Sequence, residues 1–249
     1  MFEKTITDYT KTIYLYFRLS ILLILIANNC TAQDIVKDFK INDFNSISVF
    51  SGINVYLSQD SVEKVTVIGP EDLLKDIVVK KENSGNLKIE MLTYLLQNWK
   101  WGKNEPLKVL ISFKNLNEIS LSSGASACSA IYLKFNNLTI NSDDASNSKF
   151  ELTANKLTLH IKNGSDIRLA GKTSSFIIEA TNGCNIKAFE LEADSINALL
   201  TIGSDAELNA SQALHILAKD KSNVHYMATK KLVKRLRSWD YSAIKAVKN

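Results

Sequence analysis

Proline is almost missing from this chain of 249 residues, which contains only Pro70 and Pro106. No stretch of low complexity divides the chain either, and these two absences favour one continuous architecture over domains joined by a linker. A strong charge of either sign is also lacking, because 30 Lys and Arg residues face 26 Asp and Glu residues, for a formal net charge of +4. A chain so close to neutrality is not drawn to nucleic acid by bulk electrostatic attraction.

The first 32 residues have the pattern of a secretory signal peptide. Three basic side chains precede the charge-free run "LSILLILIANNC", and the small residues Cys30 and Ala32 predict cleavage after Ala32. The apolar run is too short to span a bilayer comfortably. The alternative is a lipoprotein acylated on Cys30, which would need small residues where Asn28 and Asn29 stand, so simple cleavage is the preferred interpretation.

Cysteine is scarce too. The exported chain, residues 33–249, would carry a net charge of about +3, since the leader removes three basic and two acidic side chains. It would keep two cysteines, Cys128 and Cys184. Two cysteines in an exported protein suggest a disulfide, but the repeat described next argues against one.

A period of about 20 residues runs through the second half of the chain. Short motifs of small and polar residues recur at spacings of 20, 20, 19, 20 and 18 residues. They are "GAS" at Gly124, "DAS" at Asp144, "GSD" at Gly164, "GCN" at Gly183, "GSD" at Gly203 and "KSN" at Lys221. In this alignment the Asp144 unit carries about three extra residues before Phe150.

Alternating apolar residues flank these motifs and predict strands with one buried face. Ahead of four motifs the apolar positions are Leu157, Leu159, Ile161; Phe176, Ile178, Ala180; Ile196, Ala198, Leu200; and Leu214, Ile216, Ala218. Behind them, at offsets of three and five residues, are Ile167, Leu169; Ile186, Ala188; Ala206, Leu208; and Val224, Tyr226. Each unit is therefore strand, small polar turn, strand.

A unit of this size cannot bury its own apolar face, but stacked copies share a continuous core. The sequence thus predicts an all-β fold, a parallel β-helix or β-solenoid, with the segment "SSGASACSA" forming a corner and the start of a strand. Cys128 and Cys184 would lie three units apart, about 14 Å at roughly 4.8 Å per stacked strand, whereas a disulfide needs Cα atoms within about 7 Å. Both thiols are expected to be free and buried or half-buried.

The mature chain is expected to be a single domain with three parts. Residues 33–122 are β-rich but irregular, with one short helical turn at "PEDLLKD", and would form the first rungs and cover the open end of the solenoid. Residues 123–226 are the regular repeats, and residues 227–249 would form a carboxyl-terminal cap.

The segment "FSGINVYLSQD", followed by "VTVIGPEDLLKDIVVKKENSGNLKIEM" and glycine-turn repeats, resembles the bacterial autotransporter-adhesin family called the head GIN domain. The match runs from about Ile47 to the carboxyl end, and Gly52, Ile53 and Asn54 reproduce the tripeptide that names the family. The resemblance implies an exported, right-handed β-helical envelope protein with an adhesive role. The insertion "LTYLLQNWKWGKNEP" and a basic final segment depart from the family pattern.

Carboxylates at the corners are the main argument for an enzyme, because β-helices also host polysaccharide lyases and hydrolases. Glycoside hydrolysis needs two carboxylates that face each other across a fixed gap. Asp143 and Asp144 are adjacent, so they would point to opposite faces of a strand. Asp166 and Asp205 occupy equivalent positions two units apart and would form an acidic stripe with Asp144. Capping of the turn backbone by these Asp residues is the preferred interpretation.

The remaining reactive side chains also lack a catalytic arrangement. His160 and His215 should face outward in units three apart, and together with His225 they have no metal-ligand spacing. Cys184 would be reactive only if exposed, and the repeat places no histidine to activate it. We therefore expect no catalytic residue, no metal site and no cofactor.

Two features are candidates for binding. In the insertion, the aromatic residues Tyr94, Trp99 and Trp101 lie near Lys100 and Lys103, and exposed indoles would stack on sugar rings or enter a partner. The alternative is that Trp99 or Trp101 folds back against the solenoid wall.

The second feature is the segment "TKKLVKRLRSWDYSAIKAVKN". Its cations are Lys230, Lys231, Lys234, Arg235 and Arg237. As a basic amphipathic helix it would lie on anionic lipid or lipopolysaccharide. The preferred alternative is a cap that packs Leu232, Leu236 and Trp239 over the last rung and leaves the cations in solvent.

The sequence therefore predicts an exported adhesin-like binding protein in the periplasm or at the surface of a Gram-negative bacterium, with a glycan or protein ligand and no reaction. The alternatives are a carbohydrate-active β-helix enzyme and a structural accessory protein of the envelope. An aromatic and acidic groove on the outer face would favour sugar chemistry, whereas a featureless polar wall would favour a scaffold or a protein contact.

Overall fold

The computed structural model describes residues 34–92, 107–227 and 232–247, without the side chain of Asp72. The predicted signal peptide and the lipidation alternative at Cys30 lie outside the described residues. The strands are β1 (Ile35–Phe39), β2 (Ser46–Val49), β3 (Asn54–Gln59), β4 (Lys64–Gly69), β5 (Ile77–Lys81), β6 (Asn86–Met91), β7 (Lys108–Phe113), β8 (Glu118–Leu121), β9 (Ser126–Ser129), β10 (Leu133–Ser142), β11 (Asn147–Lys162), β12 (Asp166–Thr181), β13 (Asn185–Leu200), β14 (Asp205–Ala218), β15 (Asn223–Met227), β16 (Val233–Ser238) and β17 (Ala243–Val247). A single helical turn, α1 (Glu71–Leu74), lies at the predicted "PEDLLKD" segment.

The strands stack in parallel as a β-solenoid of about six turns with a spacing near 20 residues, which confirms the predicted fold class. Two ladders of strands run along it. We call sheet 1 the ladder of segments that precede each corner, in the order β6, β2, β8, β10, β11, β12, β13, β14 and β16. Sheet 2 is the ladder of segments that follow each corner, in the order β7, β3, β9, β11, β12, β13, β14, β15 and β17.

Each corner consists of two successive residues with positive φ, a conformation that glycine and asparagine adopt at low cost. The pairs are Ser51–Gly52, Ser123–Gly124, Asp144–Ala145, Asn163–Gly164, Asn182–Gly183, Ile202–Gly203, Asp220–Lys221 and Asp240–Tyr241. The N–H of the second residue donates to the carbonyl of the first residue in the next corner, as in Gly164 to Asn182 at 2.8 Å and Gly203 to Asp220 at 2.8 Å. The hydrogen-bond ladder of the sheets therefore continues through the corners.

The hydrogen bonds between corners shift the predicted alignment of the Asp144 unit by one residue. Gly124 donates to the carbonyl of Asp144, and Ala145 donates to that of Asn163, so Ala145 is the equivalent of Gly124. Phe150 then follows Ala145 by five residues, as Leu169 follows Gly164, and the predicted insertion before Phe150 does not exist. The sequence comparison missed this register because Ala145 replaces the expected glycine.

A second ladder lies directly beneath the corners, where each rung has one small buried residue. Those with hydrogen bonds in this ladder are Ser146, Ser165, Cys184, Ser204 and Ser222, and Ala125 occupies the same place. The N–H of Ser204 donates to Ser222 Oγ at 3.2 Å, and Ser204 Oγ donates to the carbonyl of Thr201 at 2.9 Å. The buried hydroxyls of this ladder therefore satisfy backbone N–H groups of the neighbouring rung.

The core lies between the inward faces of the strands. Every apolar position predicted from the alternation is buried, from Leu157 in β11 to Tyr226 in β15. The buried set continues into the first rungs, where Ile47, Leu57 and Ile89 are almost completely inaccessible to solvent. The apolar core therefore extends from the amino-terminal rungs through the regular repeats.

The amino-terminal segments cover one end of the solenoid. The rung of β6 and β7 lies outside that of β2 and β3, although it follows it in sequence. Antiparallel strands close this end, with β5 paired to β6 and β4 paired to β7 and β1. Antiparallel cover ends the parallel stacking and so protects this end against edge-to-edge association.

The basic carboxyl-terminal segment is a strand, and the predicted amphipathic helix is wrong. β16 pairs in parallel with β14, and β17 pairs with β15, so the segment adds a further rung. Of the three apolar residues assigned to a carboxyl-terminal cap, Leu232 is buried and Leu236 is half-buried, but Trp239 is 44% exposed. Helical spacing of Leu232, Leu236 and Trp239 misled the prediction, whereas the register with β14 decides the outcome.

Lys234 occupies the inward position opposite Leu214 in this last rung. Its ammonium group lies 5.8 Å from the centre of the Tyr226 ring. An inward-pointing charge is one way in which natural sheets prevent another strand from pairing with an exposed edge. In the described part of the chain no helix has the length and apolarity needed to cross a bilayer.

Candidate functional site: the outer face of sheet 1

A groove with a volume of about 670 Å³ lies on the outer surface of sheet 1, just before the corners. It crosses five successive rungs, β8, β10, β11, β12 and β13. Its lining residues are Phe50, Ser120, Leu121, Ser122, Asn141, Ser142, Asp143, His160, Ile161, Lys162, Glu179, Ala180, Thr181, Leu199 and Thr201. We call it the sheet-1 groove.

Polar side chains of the groove pair with each other from rung to rung. Lys162 Nζ lies 2.8 Å from Asp143 Oδ2, and His160 Nδ1 lies 2.9 Å from Glu179 Oε2. Thr201 Oγ1 donates to Thr181 Oγ1 at 2.9 Å. The in-register stacking of parallel strands places these partners side by side, so the floor of the groove is already organised before a ligand arrives.

Two apolar side chains interrupt this polar surface. Phe50, which follows β2, is half-buried, and Leu199 in β13 is 37% exposed although it lies within a strand. Leu199 stands in register with Glu179, whose other neighbour is His160. The groove therefore offers apolar contact beside hydrogen-bonding groups, which is the usual composition of a ligand site.

Asp143, in the sheet-1 groove, is unsuited to acid catalysis. Burial opposes ionisation of Asp143, but hydrogen bonds from Lys162, Asn163 and the Asp144 amide outweigh it and lower the pKa of Asp143. A glycosidase acid must instead stay protonated near neutral pH. The groove thus favours the ionised, paired form of Asp143.

The predicted acidic stripe is only partly correct. Asp166 and Asp205 do stand in one outward column, with Asn185 between them, whereas Asp144 lies in a corner and Asn147 takes its place in the column. Asp205 Oδ1 accepts hydrogen bonds from the Asn223 backbone at 3.2 Å and side chain at 3.0 Å. Asp144 is equivalent to Asn163, three residues before Asp166, and therefore lies outside the stripe.

The histidines face outward, as predicted, and lie on different parts of the surface. His160 pairs with Glu179 in the sheet-1 groove, while His215 stands opposite Asn197 in the neighbouring column. His225 lies on sheet 2 opposite Glu207. In residues 34–92, 107–227 and 232–247 no group of three or more His, Cys, Asp or Glu side chains has an arrangement that holds a metal ion.

Both predicted thiols are free, as the repeat indicated. Cys128 is half-buried and Cys184 is buried, and burial raises the pKa of each thiol. Cys184 Sγ donates to the carbonyl of Thr181 at 3.1 Å, which is the bond that Ser204 makes in the next rung. Cys184 therefore acts as a member of the serine ladder and is not an exposed nucleophile.

The predicted aromatic site lies outside the described residues, with Tyr94, Trp99 and Trp101, as do the predicted cations Lys230 and Lys231.

Sequence reasoning missed the sheet-1 groove, because it treated each outward residue alone. The signal was present in the repeat: once Ala145 is aligned with Gly164, Asp143 falls beside Lys162 and His160 beside Glu179.

The family described as "Putative auto-transporter adhesin, head GIN domain" matches residues 43–229. The chain belongs to this family. The resemblance predicted from the sequence is thereby confirmed. Of the two departures from the family pattern, the insertion lies outside the described residues apart from Leu92. The basic final segment forms the added rung of β16 and β17. Comparison with curated proteins finds no match.

Solved structures of other bacterial proteins share the fold. A putative adhesin from Bacteroides fragilis is 22% identical and superimposes with a TM-score of 0.78, covering 87% of this chain and 98% of that one. A putative adhesin from Parabacteroides merdae is 19% identical, with a TM-score of 0.64 and coverage of 87% and 97%. A putative lipid binding protein from Parabacteroides distasonis is 18% identical, with a TM-score of 0.60 and coverage of 86% and 98%.

Proposed function

We propose that this head GIN protein is an exported, adhesin-like binding module of the bacterial cell envelope that carries out no reaction. Membership of a family described as adhesins supports an exported or surface role. The observation that carries the proposal is the sheet-1 groove, whose polar side chains are locked in pairs across successive rungs. Such a surface is rigid, and a rigid surface loses little conformational entropy when it binds.

The ligand of the groove is a glycan or an extended segment of a protein. The apolar side chain of Leu199 beside the Glu179 and His160 pair suits either, because both kinds of ligand combine apolar faces with hydrogen-bonding groups. The outer wall is neither the aromatic, acidic groove expected of a sugar-cleaving enzyme nor a featureless polar surface. The paired state of Asp143 argues against hydrolysis.

The test is a glycan-array screen of purified residues 33–249, with reducing-sugar release measured on every hit. Leu199→Asn should weaken binding at the groove at least fivefold. The substitution removes the exposed apolar contact and leaves a side chain of similar size at the same exposed position of β13. Ile202→Asn is the matched control, because Ile202 is also an exposed aliphatic residue of the same rung, at 53%, but lies in the corner outside the groove. Equal binding by both variants would contradict the groove as the site, and sugar release would contradict the absence of catalysis.

Association with an anionic membrane surface is a second candidate function. The last rung exposes Val233, Trp239 and Tyr241, at 67%, 44% and 93%, next to Arg235 and Arg237 in β16. Aromatic and basic side chains together favour a lipid interface. A structural neighbour named as a putative lipid binding protein agrees with this candidate.

Liposome flotation at low and high salt tests the membrane candidate. Binding to anionic vesicles at low salt that weakens at high salt is the expected result, because exposed charges are screened as ionic strength rises. Arg235→Gln together with Arg237→Gln should reduce it. No association at low salt would contradict this function.

A further inference from the structure

A second surface lies on sheet 2, on the first residues of three successive strands. Two outward columns run side by side there: Asn147, Asp166 and Asn185 in one, and Lys149, Arg168 and Lys187 in the other. All six positions alternate with buried residues, so their side chains share one face. Together with Ser148 and Ile167 they line a shallow groove of about 250 Å³. We call these six residues the sheet-2 array.

The six side chains of the array have no partners. Within the described part of the chain, they make no side-chain hydrogen bond and no ion pair with one another or with other residues. The column of Asn147, Asp166 and Asn185 is paired on either side: Ser126 bonds to Asn54 in the earlier rungs, and Asn223 bonds to Asp205 in the later ones. On sheet 1 the corresponding outward groups, such as Lys162 and Asp143, are also paired.

The three cations of the array repel one another. They stand in register on neighbouring strands, about 4.8 Å apart per rung, and like charges opposite each other destabilise a sheet. Three carboxylates lie nearby: Asp166 in the adjacent column, Glu151 two residues beyond Lys149, and Glu207, which stands in register with Lys187 on the next rung. Among the described residues none of them forms an ion pair with the three cations. A ligand with negative charges at short intervals would relieve the repulsion along the whole column.

The second column restricts the chemistry of that ligand. The amides of Asn147 and Asn185 and the carboxylate of Asp166 donate to and accept from neutral hydroxyl groups, whereas Asp166 would repel a densely charged surface. One side of the groove therefore suits acidic groups and the other suits hydroxyls. A chain that carries both along its length is an acidic polysaccharide.

We propose that the sheet-2 array is a binding site for an acidic polysaccharide that lies along the solenoid axis, with its acidic groups on Lys149, Arg168 and Lys187 and its hydroxyls on Asn147, Asp166 and Asn185. The site is separate from the sheet-1 groove and does not depend on it. Because the array is formed by three identical steps of the repeat, affinity should rise with the length of the chain until three rungs are covered.

The test uses residues 33–249 and oligogalacturonates of increasing length, with neutral dextran and vesicles of phosphatidylglycerol as comparison ligands. We expect oligogalacturonate binding that weakens with salt, no binding to dextran, and loss of at least tenfold in affinity in the triple variant Lys149→Gln, Arg168→Gln, Lys187→Gln. The matched control replaces Lys114, Lys134 and Lys156 by Gln, which removes the same charge from exposed positions outside the array. The control should stay within twofold of the wild type.

A variant with unchanged net charge distinguishes binding at the array from non-specific electrostatic attraction between the protein and the ligand. Asn147→Ala with Asn185→Ala leaves the net charge unchanged and should still reduce oligogalacturonate affinity about threefold or more. The proposal is overturned if the triple variant binds like its control, if the double alanine variant binds like the wild type, or if only the vesicles bind. Loss of binding in Leu199→Asn without loss in the triple variant would instead support the sheet-1 groove and contradict the array.

Discussion

A substitution at Gly171 is a more severe test of how closely the rungs stack than a substitution at any other glycine in the described chain. It lies within β12, between Leu152 and Leu191 of the neighbouring rungs, with φ of +115°. A Cβ atom built there would stand 2.0 Å from the Leu152 carbonyl oxygen and 2.9 Å from its carbonyl carbon. The clash is with backbone, so it can be relieved only if two rungs move apart.

We expect Gly171→Ala to lower the free energy of unfolding by about 2–6 kcal/mol. About 1–3 kcal/mol comes from a backbone conformation that alanine rarely adopts, and about 1–3 kcal/mol from forcing extra volume into a packed site. Gly164→Ala is the control, because Gly164 also has positive φ, +71°, but its Cβ would meet nothing within 4 Å. Only the cost of the left-handed conformation applies there, about 1–2 kcal/mol.

The two variants should be compared by urea unfolding followed by circular dichroism. Their midpoints should fall in the order wild type, Gly164→Ala, Gly171→Ala. Equal midpoints for the two variants would refute the argument, because the close approach of Gly171 to Leu152 would then have no energetic consequence.

Three further predictions follow from single side chains. Cys184→Ser should change the free energy of unfolding by less than about 1 kcal/mol, because serine makes the same hydrogen bond in the next rung. A thiol reagent should label Cys184 only after denaturation. Labelling of Cys184 in the native protein would contradict its burial in the ladder beneath the corners. The folded-state pKa of Asp143 lies below its usual value of 3.8, so its ion pair stabilises the protein above that pH. This stabilisation is lost as the pH falls through the folded-state pKa. In an acid titration, Asp143→Asn should therefore lose less stability than the wild type between about pH 5 and pH 2. Lys234→Leu should promote self-association, measured by light scattering, because it removes the inward charge from the last rung; a monodisperse variant at high concentration would argue against that role.

The fold could be predicted from the sequence because two periods coincide. Alternation with a period of two assigned the buried faces correctly from Leu157 to Tyr226, and recurrence near 20 residues showed how the strands stack. The single register error arose at Ala145, where positive φ is adopted without glycine. Tertiary pairing with Asn163 determines that corner, and one unit of sequence does not reveal it.

The ends and the site were less accessible to prediction. Leu232, Leu236 and Trp239 have helical spacing, but pairing with β14 makes their segment a strand. The sheet-1 groove and the sheet-2 array depend on which outward residues are neighbours across rungs, and that requires an alignment accurate to one residue. The predicted aromatic site at Tyr94, Trp99 and Trp101 remains a prediction.

The most direct test of the central claim is to incubate residues 33–249 with each glycan that it binds and to measure both retention and reducing-sugar release. The account predicts retention of acidic glycans, which the triple variant of the sheet-2 array reduces at least tenfold, and no release of reducing sugar. Release of reducing sugar, or the absence of binding to every glycan, would contradict it.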